Sequence, residues 1–410
     1  MFLPQDYALI AMLNNWSVSI RRVTILGSTG SIGTQALEVI DQHRSQFEVI
    51  GLSGHQNVKL LIEQIEKFEP KYVSVTSKEI ALQIQNKLKN KKIELFVGED
   101  ASSKVASLKC DVVLNAISGS AGLKSSFEAL KANNQLALAN KESLVIGGEV
   151  ISKVAEKNQI IPVDSEHSAI AQCLKGEKIS DVKKLILTAS GGPFRNKNKS
   201  ELKNVTAKEA LAHPTWSMGK LVTINSATLM NKALEVIEAH LLFGIDYENI
   251  EVVIHPQSVI HSMVEFKDGS TLAQASPPNM KIPIALALKW ESRLENIFNS
   301  IDWSKSHEWN FQPVDHENFD FINLSKKVGK ISGGAPIVMN AVNEVCVDRF
   351  LRGEILFTDI FTVVNQVVNN YIAENDFLIQ SLNEILELDS KYRRKVSDLL
   401  NNTKNVSKIF

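Results

Sequence analysis

The stretch Val23-Thr24-Ile25-Leu26-Gly27-Ser28-Thr29-Gly30-Ser31-Ile32-Gly33 decides the fold of the first part of this chain. A short β-type run leads into three glycines, and a helical pattern follows at residues 34–43. This order favours a dinucleotide-binding domain, because glycine lets the backbone approach a pyrophosphate whose charge the helix N-terminus meets. The spacing G-x-x-G-x-x-G is a variant of the commonest fingerprint, and a purely structural turn is the alternative. The candidate nucleotide contacts are Gly27, Ser28, Thr29, Gly30, Ser31, Ile32 and Gly33.

The same pattern continues in further apolar runs at residues 47–52, 72–75, 112–114 and 136–139. They alternate with helical stretches rich in Lys, Glu and Leu, which predicts a parallel sheet with crossover helices. Ser53-Gly54-His55-Gln56-Asn57 follows the second strand without an acidic side chain. NAD-preferring domains usually bind the ribose hydroxyls with such a side chain, so its absence favours NADP.

The composition is that of an ordinary globular protein. The chain has 410 residues, a formal net charge of -1 and 44% hydrophobic residues, which allows two or three domains. The near-neutral charge argues against a nucleic-acid partner, and no apolar run reaches membrane-spanning length. Cys110, Cys173 and Cys346 lack metal-ligand or redox spacing, which indicates a reducing compartment, the cytoplasm. Residues 1–22 fit neither a secretory signal nor a transit peptide, so we expect an N-terminal extension, with Met12 as an alternative start.

A pair of carboxylates follows the apolar run at residues 159–163. In Asp164-Ser165-Glu166 the two acids are two positions apart, and on an extended segment they would point the same way. Glu235, on a later helical stretch, offers a third carboxylate. Three converging carboxylates suit a divalent metal ion, although Asp-Ser-Glu is also a common surface triplet.

The following segments carry groups suited to a phosphate and a covering loop. A predicted strand ends in Ser190-Gly191-Gly192, whose N–H groups and hydroxyl could donate to phosphate oxygens, or form a plain turn. The loop 213–220 contains Trp216 and Met218, which favours a lid over a small-molecule site, with docking onto the core as the alternative. The helical pattern 225–238 places Ser226 at its start and Asn231, Lys232 and Glu235 near one face, which could also be simply solvated.

The remaining chain is expected to complete two domains. Residues 250–255 and 258–266 are predicted to form an antiparallel pair in a mixed sheet that residues 271–275 extend, before a helix at 282–290. Residues 291–330 are polar and aromatic, typical of a linker. Beyond Gly333-Gly334 the pattern is helical, which predicts a domain that supports the site or clamps a dimer.

Taken together and in this order, these segments resemble the 1-deoxy-D-xylulose 5-phosphate reductoisomerase family over nearly everything from Val23 onward. The most specific pieces are 27–33, 140–143, 163–167, 190–193, 213–219, 231–238 and 255–258. The resemblance implies an enzyme, an oxidoreductase and isomerase that uses NADPH and a divalent ion. It would rearrange 1-deoxy-D-xylulose 5-phosphate and reduce the aldehyde to 2-C-methyl-D-erythritol 4-phosphate for isoprenoid precursors. A cytoplasmic homodimer that takes a sugar phosphate is implied with it.

The resemblance also implies roles for individual residues. Asp164, Glu166 and Glu235 would hold Mg²⁺ or Mn²⁺, with Co²⁺ as a third candidate. The implied phosphate contacts are Ser190, Ser226, Asn231 and Lys232. The other implied substrate contacts are Ser165, Lys141, His213, Trp216 and Glu235. Lys141, Glu166 and His213 are the catalytic candidates. The implied nucleotide contacts beyond the glycine turn are Gln56, Asn57, Asn140, Glu142 and Gly219. Gln56 departs from the family, which often has a lysine there near the 2′-phosphate.

The expected architecture is therefore α/β, in three domains. An N-terminal Rossmann-like NADPH-binding domain spans 23–163, a central α/β catalytic domain with a mixed sheet spans 164–290, a linker spans 291–330, and a C-terminal α-helical domain spans 331–410. One alternative is a semialdehyde or homoserine dehydrogenase, of which the former needs a nucleophilic cysteine, with Cys173 as the candidate. Another is a non-catalytic NADPH-binding regulator, which would need no metal.

Overall fold

The computed structural model describes residues 20–87, 92–290, 292–374 and 378–401. Residues 1–19 of the expected extension, Met12 among them, therefore lie outside the described residues. The first strand begins at Arg21 and not at Val23, so Arg21 and Arg22 belong to the fold. Within the described ranges, no helix combines the length and the apolar character needed to cross a bilayer.

The first sheet confirms the expected parallel topology. Its strands are β1 (Arg21–Leu26), β2 (Phe47–Ser53), β3 (Tyr72–Val75), β4 (Glu94–Val97), β5 (Val112–Asn115), β6 (Gln135–Leu138) and β7 (Ile160–Pro162). They lie in the order β4-β3-β2-β1-β5-β6-β7, and all neighbours are parallel. Sequence reasoning missed β4, an edge strand whose side chains are partly or fully exposed and so give no continuous apolar run.

Helices cover both faces of this sheet. They are α1 (Ser31–Gln42), α2 (Val58–Phe68), α3 (Lys78–Lys87), α4 (Ala101–Ala106), α5 (Leu123–Lys131) and α6 (Lys141–Val154). Because both faces are covered, Val23, Ile25 and Leu26 of β1 are all fully buried. The strand order reverses between β1 and β5, and open α/β sheets bind ligands outside the carboxyl ends of the strands at such a point.

Two glycines of the opening stretch are required by geometry. Gly27 has φ +75°, and a Cβ there would lie 2.7 Å from the carbonyl oxygen of Ala116. A Cβ on Gly33 would lie 2.4 Å from the carbonyl oxygen of Gly27. Any side chain at either position would therefore prise α1 away from the turn or the turn away from β5.

The second sheet is mixed, as expected, but its pairing differs. Its strands are β8 (Val182–Ala189), β9 (Ile250–Ile254), β10 (Ile260–Phe266), β11 (Thr271–Ala275) and β12 (Gln312–Pro313), in the order β11-β10-β8-β9-β12. The expected pairing of β9 with β10 is wrong, because β8 lies between them, parallel to β9 and antiparallel to β10.

Buried His255 explains the crossover between β9 and β10. Its Nε2 accepts hydrogen bonds from the backbone N–H groups of Val259 (3.2 Å) and Ile260 (3.1 Å). The backbone N–H of His255 donates to the carbonyl oxygen of Ala189 at the end of β8. The connection is thus folded across the end of β8 instead of closing a hairpin.

The helices of the central region are α7 (Ser165–Cys173), α8 (Lys199–Leu202), α9 (Ala207–Ala210), α10 (Lys220–Ala227), α11 (Met230–Phe243) and α12 (Lys281–Leu288). The expected boundary at residue 290 needs correction, because α12 packs against α1 of the first domain. Ile284, Ala287 and Leu288 belong to that domain's core, and Lys281 Nζ lies 2.6 Å from Glu38 Oε2. An apolar helix of this kind must be covered on most sides.

The C-terminal region is helical, as expected. It contains α13 (Phe321–Ile331), α14 (Gly334–Leu351), α15 (Phe357–Glu374) and α16 (Leu382–Asn401). The expected linker 291–330 therefore ends inside α13, whose Phe321, Leu324 and Val328 are buried at helical spacing and which packs against α11. Residues of α11, α14 and α16 share one hydrophobic core, so the helical region is joined directly to the central one.

Candidate active site

A cavity of about 440 Å³ opens between the two sheets. Gly30, Ser31 and Ile32 at the start of α1 line one side, and Ser190 and Lys232 line another. This volume is within the range of small-molecule sites. The cavity also lies at the switch point of the first sheet, so the two parts of the chain enclose it jointly.

The three predicted carboxylates converge in this cavity. Oxygen atoms of Asp164, Glu166 and Glu235 all lie within 4.8 Å of one another. The backbone of residues 164–166 is not extended as expected, because α7 begins at Ser165 and Asp164 is its N-cap. The Asp164 side chain accepts a hydrogen bond from the Glu166 N–H (3.3 Å). A helix start needs such an acceptor, so the turn of the backbone brings the two acids together.

Two lysines neutralise these carboxylates. Lys141 Nζ lies 2.6 Å from Asp164 Oδ2 and 2.9 Å from Glu235 Oε1. Lys232 Nζ lies 2.8 Å from Glu166 Oε1 and also contacts Glu235. The side chain of Glu235 is only 1% exposed and those of the lysines at most 8%. Buried charges persist only when paired, so each group is positioned by its partners.

Burial and mutual repulsion shift the titration of the cluster. Burial and the negative charge of Glu235 raise the pKa of Glu166 to about 8. Burial acts in the same direction on Asp164, but Lys141 outweighs it and holds the pKa of Asp164 below its ordinary range. Burial would lower the pKa of Lys141, but Asp164 and Glu235 raise it. Glu166 therefore binds a proton near neutrality, and a cation placed among the carboxylates would displace it.

The polar face of α11 faces the cavity and is not simply solvated. Asn231 Nδ2 donates to Glu235 Oε1, and both residues and Lys232 line the cavity. Ser226 was expected at the start of this helix, but Leu229 adopts a left-handed conformation (φ +59°) that separates α10 from α11. Ser226 consequently lies in the last turn of α10, and it still lines the cavity.

Behind the cluster lies a second polar layer, for which sequence reasoning assigned no role. His167 Nε2 lies 2.9 Å from the carbonyl oxygen of Glu235, and its Nδ1 lies 3.2 Å from Glu238 Oε2. Burial opposes the charge on His167, but Glu238 raises its pKa to about 9. The spacing in the sequence could have indicated this layer, because Glu238 follows Glu235 by three positions and so lies on the same face of the helix.

The Ser190 loop has the features of an anion site. Gly191 and Gly192 both have positive φ (+81° and +66°), and a Cβ on Gly192 would lie 2.8 Å from the carbonyl oxygen of Ser226. Ser190 Oγ accepts from the Gly192 N–H (3.2 Å) and lies 3.1 Å from His213 Nε2. With two donors directed at its oxygen, the hydroxyl proton of Ser190 is available to a ligand oxygen.

The loop that was expected to form a lid is organised by His213. The Nδ1 of His213 accepts the backbone N–H groups of Thr215 (3.1 Å) and Trp216 (2.9 Å), so its Nε2 carries the proton and donates to Ser190. The Trp216 ring lies 6.2 Å from that of His261, and Ser31 Oγ reaches the carbonyl oxygen of Ser217 (3.5 Å). The loop thus lies against both sides of the cavity.

We expect His213 to make the free energy of unfolding depend on pH. Burial lowers its pKa to about 4, from an ordinary 6.5, so below pH 6.5 the unfolded chain binds more protons than the folded one. The contribution of neutral His213 to the free energy of unfolding is complete above about pH 6.5 and is lost as the pH falls to about 4. The difference in free energy of unfolding between pH 7 and pH 5, from urea titrations, should be smaller in His213→Gln than in wild type. The exposed His307→Gln is the control, and an equal difference in all three proteins would contradict the assignment.

The nucleotide candidates divide into two groups. Those that line the cavity are Gly30, Ser31, Ile32, Asn140, Glu142 and Gly219. Those that do not are Gly27, Ser28, Thr29, Gly33, Gln56 and Asn57. Ser28 is buried and its Oγ donates to Gln64 Oε1 (2.7 Å), whereas Asn57 caps α2 by accepting the Leu60 N–H (3.2 Å). Gln56 is exposed at the same edge of the sheet.

Every candidate substrate or metal residue lines the cavity, including Ser165 and Trp216. Several lining residues were missed: Ser118, Ser258, His261, Asn279 and Met280. Ser118, Ser258 and Asn279 lie in connections whose course depends on the tertiary fold, and Met280 is the N-cap of α12. His261 lies in β10, whose pairing with β8 the sequence pattern did not predict. Among the described residues, Cys173 is buried and away from the cavity, and burial raises its pKa to about 11, which does not suit a thiolate nucleophile.

Comparisons with known proteins agree with this geometry. Family models described as 1-deoxy-D-xylulose 5-phosphate reductoisomerase, its C-terminal domain, and the DXP reductoisomerase C-terminal domain match residues 23–148, 160–243 and 275–395. A reductoisomerase of this name from Cutibacterium acnes is 46% identical over 400 residues, 93% of this chain and 98% of that protein. The one from Pseudarthrobacter chlorophenolicus is 48% identical over 391 residues, with the same coverage of each chain.

Two solved structures are similar throughout. A DOX-P reductoisomerase in complex with NADPH, fosmidomycin and magnesium is 36% identical, with a TM-score of 0.88 over 93% of this chain and 98% of that one. The Zymomonas mobilis reductoisomerase in complex with NADPH is 37% identical, with a TM-score of 0.87 over 94% and 100%. Fold, site and relatives define the class: an NADP-dependent oxidoreductase. More particularly, the chain belongs to the 1-deoxy-D-xylulose 5-phosphate reductoisomerase family.

Proposed function

We propose that this protein converts 1-deoxy-D-xylulose 5-phosphate to 2-C-methyl-D-erythritol 4-phosphate, with NADPH and a divalent ion, for isoprenoid precursor synthesis. The observation that carries the proposal is the convergence of Asp164, Glu166 and Glu235 in a cavity that also reaches the glycine turn of the first domain. The similar structure that contains NADPH, fosmidomycin and magnesium supports it. Such a cavity can hold a sugar phosphate and a nicotinamide side by side.

The residues present fit the proposed metal. All three ligand side chains offer oxygen, which favours Mg²⁺ or Mn²⁺ over softer ions, and Co²⁺ is compatible. Lys141 and Lys232 already supply positive charge among these carboxylates. A divalent ion bound there would polarise substrate oxygens as a Lewis acid while charge develops on them.

The surrounding residues fit a sugar phosphate. Ser190 and the backbone of Ser226 both lie beside Gly192. Ser190, Ser226, Asn231 and Lys232 all line the same cavity. We assign the phosphate to these four, because hydroxyl, amide and ammonium groups all donate to its oxygens. We further propose that Ser165 and His213 donate to the sugar.

Proton transfer is assigned to the two groups placed to carry it. Lys141 is charged and directed at the carboxylates, so it can stabilise an oxyanion or deliver a proton. Glu166, whose pKa burial and Glu235 raise to about 8, holds a proton near neutrality while no metal ion is bound, and it would give that proton up when it becomes a metal ligand. Both groups contact the proposed substrate volume, and together they would serve the skeletal rearrangement that precedes reduction.

The nucleotide side fits NADPH better than NADH. β2 ends in Ser53, whose Oγ lies 2.9 Å from Ser102 Oγ, and no acidic side chain follows it before α2. A carboxylate at this place would bind the ribose hydroxyls of NAD and repel a 2′-phosphate. Exposed Gln56 and the neighbouring His55 leave room for that phosphate.

The test is the loss of NADPH absorbance when purified protein is mixed with 1-deoxy-D-xylulose 5-phosphate and Mg²⁺ or Mn²⁺. We expect turnover that EDTA abolishes and that excess metal restores. NADH should be used much more slowly. Comparable rates with NADH would overturn the cofactor assignment alone, whereas folded protein without any turnover would overturn the proposed reaction.

Trp216→Ala should weaken substrate capture without disturbing the fold. Trp216 is half-buried in the loop that spans the cavity, so its loss should open the site to water and raise the substrate KM about tenfold. Steady-state kinetics and thermal melts would measure this. The exposed Trp303→Ala is the control, and a large fall in melting temperature for Trp216→Ala alone would place this ring in the core.

We also propose a cytoplasmic homodimer. All three cysteines are free and buried, which fits a reducing compartment. β11 is an edge strand with exposed Leu272, and Phe298 is also exposed. Unprotected edges and apolar patches favour association. Light scattering on Leu272→Lys should show a shift from dimer to monomer, and a wild-type monomer would contradict the assignment.

A further inference from the structure

The loop after β5 is part of the cavity wall. Ala116, Ile117 and Ser118 line the cavity at the switch point of the first sheet. The next residue, Gly119, has φ +72°, which turns the chain away from the cavity towards Ser120 and α5. The position of this loop therefore decides how much room the first domain leaves for a ligand.

One tether holds the loop from the first domain. Asn140 Nδ2 donates to the carbonyl oxygens of Ile117 (2.6 Å) and Gly119 (2.9 Å). It also lies 2.9 Å from Glu142 Oε2, and Glu142 lines the same cavity. Asn140 thus links this loop to the start of α6 by hydrogen bonds.

A second tether comes from the C-terminal helices. Glu344 on α14 accepts the backbone N–H of Ser120 (3.1 Å), and Arg393 on α16 donates from Nη2 to Ser120 Oγ (3.0 Å). Arg393 Nη2 also lies 2.7 Å from Glu344 Oε2, and its Nε lies 2.7 Å from Asp389 Oδ2. One guanidinium therefore joins two helices of the C-terminal region to a loop of the nucleotide side.

The charges of this group make Arg393 hard to replace. The side chains of Glu344 and Asp389 are 12% and 11% exposed, and that of Arg393 is 28% exposed. Glu142 is buried close enough to Glu344 to be repelled by it. The planar guanidinium can meet two carboxylates and a hydroxyl at once, which an ammonium group does poorly. Without it, three acids would repel one another beside the loop.

We propose that Arg393 and Glu344 act as positioning residues, a clamp that holds the loop 117–120 in the conformation the nicotinamide nucleotide requires. Both lie in the C-terminal region, and in this arrangement they set nucleotide affinity through Ser120 and Gly119. The inference rests on the proposed function, because it takes the ligand of this wall to be NADPH.

Arg393→Met tests the clamp, with the neighbouring exposed Arg394→Met as the matched control. Nucleotide affinity is measured by fluorescence titration with NADPH, and KM values for NADPH and for the sugar phosphate are measured separately. We expect Arg393→Met to weaken NADPH binding about tenfold, because displacing a supporting contact typically costs that much at a site. The KM of the sugar phosphate should change less than about twofold, since its proposed phosphate contacts, Ser190, Ser226, Asn231 and Lys232, belong to the central region and not to the loop 117–120.

A second variant separates positioning from general stability. Adding Glu344→Gln to Arg393→Met removes one uncompensated charge and keeps an oxygen that can accept the Ser120 N–H. This double variant should recover part of the lost NADPH affinity, whatever happens to the melting temperature. Unchanged NADPH affinity in folded Arg393→Met, or an equal loss for both ligands, would overturn the clamp alone. Wild-type protein that binds no NADPH would overturn the proposed function, and the clamp with it.

Discussion

Glu235→Gln should lower turnover by about three orders of magnitude, well beyond the 10–100-fold typical of residues one step removed from a metal. The change is isosteric, but it removes the charge that lies against both Lys141 and Lys232 and one of three proposed metal ligands. An amide keeps an oxygen but is a far poorer ligand for a hard cation than a carboxylate. Turnover in saturating metal and substrate is the measurement.

NADPH binding to Glu235→Gln should be unchanged within about twofold, because Glu235 lies on the second domain's helix and not at the glycine turn. Glu265→Gln, which breaks a surface ion pair with Lys183, is the matched control and should retain turnover. If Glu235→Gln lost NADPH affinity as strongly as turnover, the assignment of this residue to the metal would be wrong.

Lys141→Met should destabilise the metal-free protein and increase its response to metal. The ammonium group lies between Asp164 and Glu235, so its loss leaves Asp164 without its lysine partner and Glu235 with Lys232 alone. Removing one partner of a buried ion pair costs about 3–5 kcal/mol. A divalent ion can compensate for that charge. The rise in melting temperature on adding Mn²⁺ should therefore be larger in the variant than in wild type.

Turnover of Lys141→Met should nevertheless fall by about 10²–10³-fold even with saturating metal, because the donor at the reacting atoms is gone. Lys153→Met is the control and should behave as wild type, because Lys153 is exposed, lies beyond the break in α6 at Gly148 and is paired only with Glu149 among the described residues. If Mn²⁺ raised the melting temperature of Lys141→Met no more than that of wild type, Lys141 would not be the group that balances the charge of Asp164 and Glu235.

Local patterns were sufficient to predict the strand, the glycine turn and the helix that open the first domain, and most of the side chains that they singled out line the cavity. β1, the glycine turn and α1 follow one another directly, and each is determined by its own residues: apolar run, positive φ at Gly27, and close packing at Gly33. Asp164 and Glu166 could be paired from the sequence because they are two positions apart in the chain, whereas Glu235 joins them only through the tertiary fold.

What failed depended on contacts between distant segments. β8 lies between β9 and β10 because His255 fastens the crossover, and no pattern within 250–266 reveals a third strand. Ser226 was assigned to the wrong helix because Leu229 adopts a left-handed turn that its residue type does not announce. α12 was assigned to the wrong domain because hydrophobicity shows that a helix is buried, but not against what.

The path of the chain between the two sheets has a mechanical consequence. The backbone leaves the first sheet at Asp164 and returns to the first domain through Pro278, Asn279 and Met280 before α12. These two crossings line the cavity, whereas no described residue of the third connection, from α12 to β12, does so. If one sheet rotated against the other, the segments closest to the first two crossings would move least. A ligand held between them would then keep its alignment while the more distant walls of the cavity approached each other.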